Sequence, residues 1–231
     1  MKIAVYDCVA GDALTEKYGP TGNHVIRWIA PHLPEAAFEA VHVAVNVAPP
    51  PPGAVDGIII SGSEKGVYDD TPWMQPLRDN LDAHRQHGTP MFGICFGHQL
   101  MADVFGGKAE KAGHTFAAGA REFDMGGAAA PAYVAHQDQV TQVPPGATVT
   151  ASAPYCPAAA LSYDFPALSV QFHPEYSEGF ARDLIDMFGS ELMSEEEVAA
   201  ARDTVQGQVS EDLYGTEVAA FFRAHVGQRG T

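Results

Sequence analysis

Hydrophobic and polar positions change period along this chain, and the changes mark out its elements. Lys2 to Tyr6 is a short apolar run; after a Gly-rich turn at Gly19 to Gly22, an amphipathic stretch from about Asn23 to His32 has helical spacing. Phe38 to Val47 alternates apolar and polar residues as a strand does. Four prolines, Pro49 to Pro52, follow it and predict a stiff connection; the segment before them is too short to be a domain. Gly57-Ile58-Ile59-Ile60 is continuously apolar, the pattern of a parallel strand covered on both faces, and it stops at Ser61-Gly62-Ser63. Thr71-Pro72 predicts the N-cap and first position of a helix running through Trp73 and Leu77 to about His87. Pro90 to Ile94 is a second buried strand, and Gly97 to Phe105 follows with helical spacing. Strands alternating with helices predict an α/β fold, a mainly parallel sheet covered by helices on both faces.

From about Ala117 to Val170 the pattern breaks into short strand-like pieces separated by Gly and Pro, which predicts antiparallel ribbons added to one side. Beyond Glu175, helices are expected at about Glu178 to Phe188, Ser194 to Val205 and Thr216 to His225. Ser194 is a good N-cap, and Glu195, Glu196 and Glu197 suit the positive end of the helix dipole. Phe221, Phe222 and Val226 form an apolar stripe expected to pack on the core. One domain over residues 1–190, with a C-terminal helical extension over 191–231 packed on it, is the expected organisation.

Composition narrows the function. At 231 residues the chain can bury one sizeable core, and 46% apolar with 18% charged residues is the make-up of a packed globule. With 13 Lys and Arg against 29 Asp and Glu, the net charge of −16 repels phosphate backbones and anionic lipid, so nucleic-acid and membrane partners are not expected. No apolar run approaches the roughly 20 residues of a spanning helix and no signal-peptide core follows Met1, which predicts a cytoplasmic location. Cys8, Cys95 and Cys156 are odd in number and widely spaced, so at least one thiol is expected to be free. His84 and His87 have no third ligand nearby and are expected on a solvated helix face; no metal or cofactor is expected.

One of those cysteines is set apart by its neighbours. Gly93-Ile94-Cys95-Phe96-Gly97 places it between two glycines where a buried strand meets a helix, the layout of a nucleophile elbow with sulfur in place of oxygen. Close backbones at such a turn exclude side chains two residues to either side, and the helix N-terminus favours a thiolate. Taken alone, the pattern also fits a small buried cysteine with incidental glycines. Val170-Gln171-Phe172-His173-Pro174-Glu175 adds a base, His173, and an acid, Glu175, on the same side of an extended strand; Glu175 is suited to holding the imidazole tautomer. An oxyanion formed by attack of Cys95 on a carbonyl requires donors. The backbone N–H groups of Phe96 and of Ser63, at the turn ending the Gly57 to Ile60 strand, are placed to supply them if the two strands are neighbours.

Gly93-Ile94-Cys95-Phe96-Gly97-His98-Gln99, with Gln171-Phe172-His173-Pro174-Glu175 downstream and Ile60-Ser61-Gly62-Ser63 upstream, resembles a class I (triad) glutamine amidotransferase domain. Val67 to Asp70 and Trp73 are most similar to the stand-alone members called GMP-synthase-like. The resemblance implies the family's flavodoxin-like fold. It also implies Cys95 as the nucleophile that attacks the side-chain amide of glutamine, His173 as its base, Glu175 as the residue orienting His173, and Gln99, Gln137 and Asp138 as substrate contacts. Ammonia leaves first in such a reaction and passes to a separate synthase subunit, since this chain has no nucleotide-binding glycine motif. Two other readings stay open: a stand-alone γ-glutamyl peptidase or transferase acting on another γ-glutamyl amide, and a silent binding or regulatory module on the same fold. The sequence departs from the family at the oxyanion turn, where Gly62-Ser63-Glu64 replaces Gly-Gly-Pro, so that the hole is one that forms on activation. It departs again over Gly113 to Phe116, which has no residue-by-residue match.

Overall fold

The computed structural model describes all residues except 12, 114, 115, 208, 211 and 227–231. His114 and Thr115 of the unmatched Gly113 to Phe116 stretch, and the end of the C-terminal extension, therefore lie outside the described residues.

Five parallel strands form one side of a nine-stranded sheet: β1 (Lys2–Asp7), β2 (Ala37–His42), β3 (Gly57–Ile60), β4 (Met91–Ile94) and β11 (Ala167–Val170), in the order β2-β1-β3-β4-β11. Beyond β11 the sheet continues antiparallel through β10 (Cys156–Tyr163), β9 (Ala147–Ala153), β6 (Ala117–Asp124) and β7 (Ala129–His136). A separate antiparallel ladder joins β5 (Lys108–Lys111) to β8 (Asp138–Gln142).

Side chains alternate across each strand, so one apolar run supplies two cores. Ile3, Val5, Ile59, Phe92 and Ile94 face α2 (Thr21–Ile29) and α7 (Gly215–His225), meeting Val25, Trp28 and Ile29 from the first and Val218 and Phe222 from the second. Ala4, Tyr6, Ile58, Ile60 and Met91 face α3 (Met74–His87) and α4 (Phe96–Val104), where they join Leu77, Leu81, Leu100 and Met101. Each such isoleucine, leucine or phenylalanine, fully withdrawn from water, contributes about 1.5–3 kcal/mol. The antiparallel ribbon is covered instead by α5 (Glu178–Leu192) and α6 (Glu195–Thr204): Ala118, Ala120 and Tyr133 pack on Ala181, Ile185 and Ala201. Ser194 and Glu197 form the reciprocal capping box that starts α6.

Several boundaries differ from the sequence pattern for identifiable reasons. The strand expected over Phe38 to Val47 ends at His42 and turns into a 3-10 turn, Val43–Val45. β2 is an edge strand whose one partner among the described residues, β1, ends where Asp7 pairs with His42, so alternation beyond that point has no described strand to bond. The helix expected from Thr71-Pro72 begins at Met74, with Trp73 as its cap residue. Thr71 contributes its carbonyl, which accepts from the Met74 N–H, while its hydroxyl is buried with no hydrogen-bond partner. His84 is not on a solvated face. It is fully buried, with Nδ1 3.0 Å from the Thr89 hydroxyl and Nε2 3.0 Å from the Pro50 carbonyl; His87 is exposed. Ala167–Val170, grouped by its pattern with the antiparallel pieces, lies parallel to β4. The short helix α1 (Ala13–Tyr18), for which the pattern predicted no element, packs its Leu14 against Phe180 and Leu184 of α5.

Candidate active site

Cys95 joins β4 to α4 with φ 51° and ψ −101°, a conformation costing a residue with a Cβ roughly 1–3 kcal/mol. Two glycines permit the turn. A Cβ on Gly93 would stand 2.6 Å from the carbonyl of Gly97, and one on Gly97 would stand 2.5 Å from the carbonyl oxygen of Ile60. The elbow is tied to both neighbouring strands: the Cys95 N–H donates to the Val170 carbonyl at 2.8 Å and the Gly97 N–H to the Ser61 carbonyl at 3.2 Å. The sulfur lies 3.6 Å from the Gln171 side-chain amide nitrogen, which donates to it, and its thiol points to the Ala135 carbonyl at 3.9 Å.

β11 carries the second half of the site. Beyond its end the His173 N–H donates to the Tyr133 carbonyl at 2.8 Å, fixing the backbone where it leaves the sheet. His173 Nδ1–H donates to Glu175 Oε1 at 2.7 Å, with both side chains almost wholly buried, and Tyr176 stacks on the imidazole with ring centres 3.9 Å apart. Among the described residues, none is within hydrogen-bonding geometry of the buried Nε2 of His173. Burial works against a charged imidazole here. The Glu175 carboxylate and the Cys95 sulfur outweigh it, and the His173 pKa is raised above its ordinary value. A Cβ on Gly62 would lie 3.0 Å from His173 Cε1 and 3.8 Å from Cys95 Cβ, so the absence of a side chain there lets the Ser61-Gly62-Ser63 turn reach both residues.

That turn follows β3, which pairs with β4 as the oxyanion expectation requires. The Ser61 hydroxyl accepts from the Cys8 N–H at 3.0 Å and donates to the Gly62 carbonyl at 2.8 Å; the Ser63 hydroxyl donates to the Cys8 carbonyl at 2.7 Å and accepts from the Lys65 N–H. In a trans peptide the N–H points away from the C=O. Holding the Gly62 carbonyl on Ser61 therefore turns the Ser63 N–H to the opposite side. At this turn, where Gly62-Ser63-Glu64 stands in place of Gly-Gly-Pro, serine hydroxyls hold the peptide.

The cleft at these residues has a volume of about 400 Å³ and is lined by Gly62, Ser63, Cys95, Gln99, Gln137, Asp138 and His173 among others. Of the sequence-predicted residues, Phe96 is buried at the start of α4, and Glu175 sits behind His173, bordering a second cavity that also includes His24 and Arg27. Gln99 Nε2 donates to the Asp138 carbonyl at 2.9 Å and to Gln171 Oε1 at 3.2 Å. Gln171 thus links Gln99 to the sulfur, a part not visible from its place beside the His173 motif. Tyr68 donates to Asp138 Oδ1 at 3.2 Å, and partial burial raises the Asp138 pKa. His98, next to the elbow, is no base. Burial pushes its pKa down to about 4, and it fastens α4 through contacts with the Ser169 hydroxyl at 2.8 Å and the Ala158 carbonyl at 3.0 Å. Burial holds the Cys8 thiol, and the Cys156 thiol at about 12, above the ordinary cysteine range. Among the described residues no group of three or more His, Cys, Asp or Glu is placed to hold a metal ion, and no helix is long and apolar enough to cross a membrane.

A cysteine at a strained elbow and an imidazole bonded to a carboxylate line one cleft beside the Ser61-Gly62-Ser63 turn. Comparison with known proteins shows the family. The family model for class-I glutamine amidotransferase matches residues 24–188. γ-Glutamyl peptidase 3 of Arabidopsis thaliana is 29% identical over 167 residues, 65% of this chain and 67% of the relative. The glutamine-hydrolysing GMP synthase of Bordetella avium is 30% identical over 185 residues, 67% of this chain but 32% of the relative, so the chain spans about a third of that protein. Among solved structures, a glutamine amidotransferase from Methylobacillus flagellatus superposes with a TM-score of 0.75 at 18% identity, covering 100% of this chain and 96% of that one. Another from Thermotoga maritima superposes at 0.73 with 14% identity and 99% coverage of both. At such identities these two show the fold.

Proposed function

The chain belongs to the class I glutamine amidotransferase family, and on that footing we propose that it hydrolyses γ-glutamyl amides through a thioester on Cys95. His173 Nε2 takes the thiol proton, and Glu175, bonded to Nδ1, stabilises the imidazolium. The sulfur attacks the γ-carbonyl carbon, and the N–H groups of Ser63 and Phe96 receive the negative charge on its oxygen. The C–N bond breaks as the imidazolium gives its proton to the leaving nitrogen. Water, deprotonated by His173, then releases glutamate. Gln99, Gln137 and Asp138, which line the same cleft, hold the glutamyl part.

One observation carries this reading: the His173 imidazole, bonded at 2.7 Å to the buried Glu175, lines the same cleft as a cysteine held at a strained elbow. With glutamine as substrate the product is ammonia, destined for a separate synthase partner. A second reading, hydrolysis of a γ-glutamyl conjugate without a partner, is favoured by the apolar wall that continues from His173 along the cleft. The test common to both is glutamate release from glutamine and from γ-glutamyl ethylamide. Cys95→Ala is expected to abolish it while Cys8→Ala and Cys156→Ala retain it. Parent-level release by Cys95→Ala would overturn the assignment.

A further inference from the structure

The cleft has two unlike ends. Near Gln99 it carries charges of both signs, Glu64, Lys65, Asp69, Lys111 and Asp138, a setting suited to the α-ammonium and α-carboxylate of a glutamyl group. At the other end the wall is apolar and built from one helix. Tyr176, just before α5, and Phe180, Leu184, Phe188 and Leu192 within it recur every fourth residue, all line the cleft, and Leu14 of α1 joins them. The wall begins at the imidazole itself: Tyr176 stacks on His173, and Phe180 follows with ring centres 4.5 Å from Tyr176. It ends near solvent at Leu192, 47% exposed.

Proton transfer fixes which part of a substrate meets this wall. When the C–N bond breaks, the electron pair stays on nitrogen and the proton on His173 Nε2 must reach it, so the leaving nitrogen lies beside the imidazole. Any substituent on that nitrogen then continues towards Tyr176 and Phe180. Glutamine has no such substituent and would leave the wall unused.

We propose that the preferred substrate is the γ-glutamyl amide of an apolar primary amine, its hydrocarbon part lying on the α5 wall. The step balances as an ordinary hydrolysis: the sulfur–carbon bond forms, the carbon–nitrogen bond breaks, the amine departs with the proton from His173, and water later regenerates the thiol and yields glutamate. This inference rests on the thioester reading above and deepens it.

The experiment compares kcat/KM for glutamate release from L-glutamine, γ-glutamylglycine and the γ-glutamyl ethyl-, butyl- and hexylamides. Burial of each added methylene is expected to raise kcat/KM about fourfold, so hexylamide should exceed butylamide about 16-fold. γ-Glutamylglycine, which brings a carboxylate to an apolar wall, should fall below ethylamide. Leu192→Asp, at a position 47% exposed at the end of α5, should lower the hexylamide-to-ethylamide ratio at least threefold. A flat or falling series, or a ratio unmoved in Leu192→Asp, overturns the inference while glutamine hydrolysis leaves the thioester reading standing. Failure of every substrate, with no acylation of Cys95, overturns both.

Discussion

Replacing Cys95 by glycine and by alanine measures the strain stored at the elbow. Both variants lack the sulfur, so the difference between them isolates the Cβ. At φ 51° and ψ −101° a Cβ costs roughly 2 kcal/mol, and glycine removes that cost. Against this, glycine loses about 0.75 kcal/mol through the freedom of the unfolded chain and about 0.8 kcal/mol through the lost burial of a methyl group. Cys95→Gly should therefore be about 0.5 kcal/mol more stable than Cys95→Ala. Ala160 is fully buried in β10 and is not among the non-glycine residues with positive φ, so Ala160→Gly serves as the control. The same arithmetic without strain makes it about 1.5 kcal/mol less stable than its parent. Urea unfolding, with slopes checked for equality, resolves the gap of about 2 kcal/mol between the two sites. If Cys95→Gly is about 1.5 kcal/mol less stable than Cys95→Ala, matching the control, the elbow stores no strain.

Three further perturbations follow from the same geometry. Gly97→Ala places a methyl 2.5 Å from the Ile60 carbonyl oxygen and should cost roughly 1–3 kcal/mol in urea unfolding together with most of the glutamate release. Ser61→Ala frees the Gly62 carbonyl; losing a hydrogen bond worth about 1 kcal/mol should lower kcat roughly fivefold with KM little changed, and an unchanged kcat would mean the Ser63 peptide is held by other contacts. His98, with a folded pKa of about 4, stays neutral in the fold while the unfolded chain takes up a proton, so its contribution is complete above pH 6.5 and is lost as pH falls towards 4. Between pH 7.5 and 5 that loss is about 2 kcal/mol, and His98→Gln should flatten the stability-versus-pH curve by that amount.

Elements buried on both faces were readable because burial leaves a continuous apolar run: Gly57–Ile60 and Met91–Ile94 have the bounds their runs suggest, to within a residue. The elbow was readable because glycine at positions 93 and 97 answers a contact with Gly97 and Ile60 that no side chain survives. What escaped depends on residues far away in sequence. The end of β2 is set by the end of β1, and the burial of His84 by the Pro49 to Pro52 loop folding back to give it the Pro50 carbonyl. Gln171 acquires its contact with Cys95 through Gln99, which holds its other side-chain atom across 72 positions. Over about Glu178 to Phe188 the pattern suggested only a helix. That part of its stripe lines a cleft follows from α1, a six-residue helix too short to register as periodic.

The most direct test of the account is the intact mass of the protein after exposure to 6-diazo-5-oxo-norleucine, an analogue that presents a γ-glutamyl group to a nucleophile, followed by peptide mapping. A single adduct on Cys95, absent in Cys95→Ala and slowed when His173 is replaced by glutamine, is the predicted result. Labelling of Cys8 or Cys156 instead, or continued glutamate release by a protein whose Cys95 is fully blocked, would contradict the claim that a thioester on Cys95 carries the reaction.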